Sequence, residues 1–180
     1  MTKLAIGSLV GGLLIFIWQF LSWSMLNTHG ANYQYTENQD AIMEALNANL
    51  SEDGGYMIPN MAPDATKEQQ EAYMAESEGK PWVTINYHKA WNTNMGMNMF
   101  RGFVANVVAA FLLAWLLMQF REVDLITGLK AGLAVGATGY LVISYINSVW
   151  FETSSIGYLI DTIVQWGLCG IWLGFWLGRK

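Results

Sequence analysis

Four apolar runs, residues 4–26, 99–120, 129–149 and 157–177, constrain this 180-residue chain more than any other feature. A bilayer's hydrocarbon core is about 30 Å thick, and a helix rising ~1.5 Å per residue crosses it in about 20 residues. Each run reaches that length. Inside hydrocarbon the backbone must satisfy its own polar groups, so each run is expected to be a helix. The fold class this predicts is membrane α-helical: four transmembrane helices with a small α+β extracytoplasmic insertion between helices one and two. A composition 53% hydrophobic and 13% charged agrees with a small polytopic membrane protein.

Charge is concentrated in the insertion. Residues 27–98 hold ten acids and three lysines, a net −7 in a chain whose total is −5. Such a segment is repelled by nucleic acid and by anionic headgroups, so nucleic acid is excluded as a partner. With four crossings, Lys3, Arg121, Lys130, Arg179 and Lys180 all fall on one side. The loop from Trp150 to Ile156 has no base and one acid, Glu152. Basic residues mark the cytoplasmic side, so both termini are expected there, with residues 27–98 extracytoplasmic. The first run reads as a retained anchor: it is too long for a signal-peptide core, and Ser24-Met25-Leu26-Asn27 is no small-x-small cleavage site. The single cysteine, Cys169, lies inside the fourth run and leaves the insertion without a disulfide. Asn49-Leu50-Ser51 matches a glycosylation sequon, a chance match in a chain this rich in Asn.

The insertion is still patterned. Thr36-Glu37-Asn38-Gln39 reads as a capping box opening a helix to about Leu50, with Ile42, Ala45 and Leu46 at helical spacing. Asp53-Gly54-Gly55 reads as a stop and turn, and Tyr56-Met57-Ile58 as a strand ended by Pro59. Thr66-Lys67-Glu68-Gln69 opens a second, polar helix to about Ser77, and residues 82–87 alternate as a strand. Two paired strands and two helices are expected, with Trp82, Trp91, Tyr33 and Tyr35 placed to seat the cap at the membrane interface.

Within the runs, small and polar residues separate. The cytoplasmic half carries glycines four apart: Gly7 and Gly11; Gly128, Gly132 and Gly136; Gly170, Gly174 and Gly178. Such spacing lets helix backbones approach closely, so these are read as packing seams. The other half carries Gln19, Arg101, Asn106, Tyr145, Asn147, Asp161 and Gln165. Polar groups facing lipid cost a few kcal/mol, about 3 for a charge, so a polar pocket opening outward beneath the acidic cap is expected. Arg101 and Asp161 are the opposite charges at comparable depth. They either pair, or Arg101 snorkels to headgroups while Asp161 reaches interfacial water, or each pairs with another subunit.

Metal chemistry has one candidate. Met95, Met97 and Met99 alternate, and on an extended strand they would project to one side as soft thioether ligands for Cu(I), with His88 seven residues before. The competing reading is a flexible membrane-entry segment rich in methionine. His29 and His88 are 59 residues apart, have no zinc-type spacing, and read as polar loop histidines able to titrate near neutral pH. No phosphate-binding loop, dinucleotide-binding glycine pattern or nucleophile elbow occurs, so no enzyme activity is expected.

The run Ile6-Gly7-Ser8-Leu9-Val10-Gly11-Gly12-Leu13-Leu14-Ile15-Phe16-Ile17-Trp18, with Leu21-Ser22-Trp23 after it, resembles the first helix of a family of uncharacterised small four-helix bacterial inner-membrane proteins. Gly55-Tyr56-Met57-Ile58-Pro59 and the three later helices are similar to that family's layout. The resemblance implies a bacterial cytoplasmic membrane and carries no activity or site. The function expected is a non-catalytic accessory or scaffold subunit, touching lipids and other membrane subunits. The alternative is a small-molecule, lipid or copper-binding or transport protein using the outward pocket.

Overall fold

The computed structural model describes residues 2–92 and 94–179; Lys180, counted above among the basic residues, lies outside them. The chain forms two compact units, one from residues 1–35 with 94–180 and one from residues 36–93. In chain order the elements are α1 (Thr2–Ser24), α2 (Gln39–Asn49), β1 (Gly54–Ile58), α3 (Lys67–Ser77), β2 (Val83–Tyr87), α4 (Met95–Leu117), α5 (Leu125–Phe151) and α6 (Ile156–Gly178). Helices α1, α4, α5 and α6 are each long and apolar enough to cross a membrane.

Two of these helices start four residues before the hydropathy runs do, because side chains cap them. Asn94 accepts from the Met97 amide at 3.2 Å and so starts α4 at Met95. Asp124 accepts from the Thr127 amide at 2.7 Å and starts α5 at Leu125. A cap satisfies amides that the first turn leaves without intrahelical partners. Helix α5 is α-helical to Gly139, widens to a π-helix over Tyr140–Tyr145, and resumes over Ile146–Phe151. It ends at Glu152, which adopts the left-handed conformation with φ 52°.

The bundle closes through its small residues. A Cβ on Gly128 would lie 2.3 Å from the Gly170 carbonyl oxygen, and one on Gly132 would lie 2.4 Å from that of Trp166. Only hydrogen fits, so α5 and α6 pack backbone to backbone along this seam. Gly136, Gly170, Gly174 and Gly178 belong to the same seam, facing Trp166, Gly128, Asp124 and Val123 in turn. On α1, Gly7 and Gly11 receive α6 instead: Gly7 lies against Trp176 and Leu173, and Gly11 against Cys169. Trp172 Nε1 donates to the Gly7 carbonyl at 2.9 Å, and Trp176 Nε1 donates to that of Lys3 at 2.8 Å. Gly12, outside the four-residue spacing, lets α4 approach, since a Cβ there would lie 2.6 Å from the Val107 Cα. All eight seam glycines thus face other parts of the bundle, Gly178 meeting the chain just before α5 and the rest a sister helix or its cap. Between them Ile15, Ala110, Leu113, Ala114, Leu117, Cys169 and Leu173 form the buried core.

In the acidic unit β1 and β2 pair antiparallel, from Gly54 opposite Tyr87 to Ile58 opposite Val83. Gly54 and Gly55 therefore lie in the strand and not in a turn. The Thr66 capping box forms: Thr66 Oγ1 accepts from the Gln69 amide, and Gln69 Oε1 from the Thr66 amide at 2.8 Å. The Thr36 box does not form. Its hydroxyl instead accepts from the Asn38 amide at 3.3 Å, closing a local turn, and the helix begins at Gln39. Among this unit's described residues only Tyr87 is buried, and its hydroxyl ties β2 to α2 by donating to Asn47 at 2.8 Å. Tyr73 ties α3 to the end of β1 by donating to the Pro59 carbonyl at 2.7 Å. Residues 27–35, assigned to the insertion by hydropathy, belong with the membrane-length helices.

Candidate functional site

Trp18 and Ser22 lie four residues apart on α1 and therefore share a face. Both point at Asp161, in the second turn of α6. Trp18 Nε1 donates to Asp161 Oδ1 at 3.0 Å, and Ser22 donates to the same oxygen through a short bond. The other oxygen, Oδ2, accepts from His29 Nε2 at 2.8 Å. His29 is 4% exposed and Asp161 6%. Thr28 completes the cluster: its one hydroxyl proton is shared between the Ser22 hydroxyl, at 2.5 Å, and the Ser22 carbonyl, at 3.1 Å.

The turn after α1 delivers His29. Asn27 takes a left-handed conformation, φ 49°, and reverses the chain. A 3-10 turn, Gly30–Asn32, follows, and Asn32 clasps the backbone before α6. Its amide donates to the Ser154 carbonyl at 2.9 Å, and its oxygen accepts from the Ser154 amide at 3.1 Å. Gly157 makes room, since a Cβ there would lie 2.5 Å from the Thr28 carbonyl oxygen and 2.9 Å from His29 Nδ1. Trp23 stacks on the imidazole with ring centres 3.9 Å apart, and Tyr158 closes its side at 4.7 Å. A carboxylate this deep loses its hydration, and three donors converging on it offset much of that cost. His29 Nδ1, facing Gly157, is buried with no hydrogen-bond partner.

A second polar layer lies one turn along. Asn106 donates to Gln19 Oε1 at 2.7 Å, and Gln19 donates to Gln165 Oε1 at 3.3 Å, joining α4, α1 and α6. Of the expected pocket residues, the structure thus brings Gln19, Asn106, Asp161 and Gln165 into the bundle. Arg101, Tyr145 and Asn147 are exposed. Asp161 takes His29 as its hydrogen-bond partner in place of Arg101. His29 does lie in a turn, but it is buried and engaged instead of facing solvent. The signal was present: an acid inside an apolar run needs a donor at its own depth, and His29 sits just past the end of α1 as Asp161 sits just past the start of α6.

The methionine triplet differs from its expected form. Met95, Met97 and Met99 occupy the first turns of α4, where residues two apart point about 200° away from each other. Met95 and Met99 share a face that Met97 does not, so the one-sided array expected of a strand is absent. His88 sits in the acidic unit, 3.6 Å from Asp53, with both side chains exposed.

Chemically, the Asp161 cluster places its carboxylate in the middle, bonded to the Ser22 hydroxyl on one oxygen and to the His29 imidazole on the other. A nucleophilic serine needs the imidazole beside the hydroxyl, with the carboxylate behind it. The order here is that of a fastener between α1 and α6. Compared with protein-family models, curated proteins and solved structures, the chain matches none.

Proposed function

We propose that this chain is a non-catalytic integral membrane protein, an accessory or scaffold subunit of a larger assembly. In this reading it lies in a bacterial cytoplasmic membrane, with both termini cytoplasmic and the acidic unit extracytoplasmic. One observation carries it: the inward polar side chains are engaged with one another. Asp161, His29 Nε2, Ser22, Thr28 and Trp18 bond to one another, as do Gln19, Asn106 and Gln165, which favours a fastened bundle over an open binding site.

The second half of α5 supplies the surface a partner would cover. Leu141, Val142, Ile143, Val149 and Trp150 are all exposed there, Trp150 by 75%. These exposed apolar side chains, interleaved with the exposed Tyr145 and Asn147, would be covered by another membrane helix in this reading. Purification from the native membrane in mild detergent, with mass spectrometry of the same peak, tests the proposal. A stoichiometric larger partner supports it, and a chain that migrates alone overturns it.

A further inference from the structure

We propose that the acidic unit docks a basic polypeptide segment, whose apolar side chains enter a groove between α3 and the Ile58–Val83 end of the β1–β2 ribbon. This goes beyond the subunit reading and stands without it, since the groove lies wholly within residues 36–93.

The groove encloses about 440 Å³, within the range of ordinary ligand sites, and Met57, Pro59, Tyr73, Met74, Pro81 and Trp82 line it. Tyr73, Met74 and Ser77 share one face of α3, and the Tyr73 hydroxyl ties that face to the Pro59 carbonyl. Met57, Met74 and Trp82 are all exposed, Met74 by 71%. Apolar side chains gathered in the open and rimmed by polar groups mark an interaction surface. Unbranched thioethers re-pack around differing shapes, so two methionines beside a tryptophan suit apolar side chains brought from outside.

Charge selects the occupant. Residues 36–93 hold ten acids and three lysines, a net −7. Among this unit's described residues only Asp53 has a basic partner, His88, which leaves nine acids in no ion pair. Two of the nine border the groove's most exposed residue. Glu71 and Glu78 lie three before and four after Met74, in one row along α3, and Glu78 also lines the groove. Lys80 lines it as well, and is already counted in the net −7. Glu76 and Glu78 stand in the last turn and at the cap of α3, where there is no basic residue and the negative end of the helix dipole disfavours both. A cationic partner would relieve that cost. A second copy of the chain would bring another −7, and an anionic bilayer surface would repel the unit as well. A basic segment with interspersed apolar side chains complements the groove and its rim together.

The test is fluorescence anisotropy of the full chain in phosphatidylcholine nanodiscs, with a short labelled peptide in which lysines flank two leucines. Empty nanodiscs set the background. Saturable binding is expected, weakening at least tenfold when glutamates replace the lysines and at least fivefold when serines replace the leucines. Raising the salt concentration tenfold should weaken it as well. Met74→Ser should weaken binding at least threefold. Glu71→Gln with Glu78→Gln should weaken it about fivefold. Glu37→Gln with Glu44→Gln removes equal charge from residues that do not line the groove, and should weaken it less than twofold. Circular dichroism of each variant reports folding, and the two control peptides test the unaltered chain. No saturable binding overturns the proposal. So does binding indifferent to the lysines or the leucines, equal losses in the two folded double variants, or a dimer of the chain that Met74→Ser dissolves. Any of these leaves co-purification with a larger membrane partner, the test of the subunit reading, unaffected.

Discussion

His29 and Asp161, 132 positions apart in the chain, meet at 2.8 Å with both side chains buried, and so join the end of α1 to the start of α6. The pair is not isolated. Trp18 and Ser22 hold the carboxylate's other oxygen, and Trp23 covers the imidazole.

Truncating one side of this pair strands the other in a site built for a partner. Asp161→Ala should destabilise the bundle by about 3–5 kcal/mol, the usual cost of breaking a buried pair. Asp161→Asn should cost clearly less, because an amide oxygen can still accept from Trp18 and Ser22. Thermal unfolding in detergent reads the ranking, and equal losses would show that the charge is what matters.

Trp18→Phe keeps the ring and removes its donor. A hydrogen bond to a charged acceptor contributes about 1.5–3 kcal/mol, so a loss in that range is expected. Because Trp18 and Ser22 share Asp161 Oδ1, Trp18→Phe with Ser22→Ala should be non-additive. A double-mutant cycle giving simple additivity would contradict the shared-oxygen geometry.

The glycines divide into two groups with opposite expectations. Gly128→Ala would put a Cβ 2.3 Å from the Gly170 carbonyl oxygen, forcing α5 and α6 apart. Overpacking of this kind costs about 1–3 kcal/mol. Gly139→Ala meets nothing within 4 Å and should be neutral or stabilising, by up to about 1 kcal/mol. Melting temperatures of the two variants should move in different directions or differ markedly in size.

The acidic unit carries a pH dependence of its own. Asp53 lies below its ordinary value of 3.8, held there first by the Lys89 amide, which donates at 3.0 Å, and then by His88. A depressed carboxylate stabilises the fold at pH above its unfolded value, and that contribution is lost as pH falls through the folded value. Protection of the Lys89 amide from hydrogen exchange, relative to an unstructured chain at the same pH, should therefore persist at neutral pH and fall below about pH 3.8. In Asp53→Asn the protection should lose this acid-dependent step.

Much of the architecture is local and was readable in one dimension. Four apolar runs are long enough to span, and four helices form on them, with ends moved by the caps at Asn94 and Asp124. The Thr66 box and the two strands likewise depend on near neighbours. Thr36 and the methionine triplet show the limit, since a turn hydrogen bond and a cap redirected segments whose composition allowed either form.

The candidate site depended on distance in space. That Asp161 needed a partner followed from an acid in an apolar run; that the partner is His29 and not Arg101 followed from the reversal at Asn27 and the Asn32 clasp on Ser154. Glycine spacing marked surfaces for close packing, while only the assembled bundle set Gly128 against Gly170 and Gly11 against Cys169. Hydropathy and capping act within a few residues of one helix, so the sequence alone carries them. Which faces meet depends on the joint packing of α1, α4, α5 and α6, and the tertiary structure decided it.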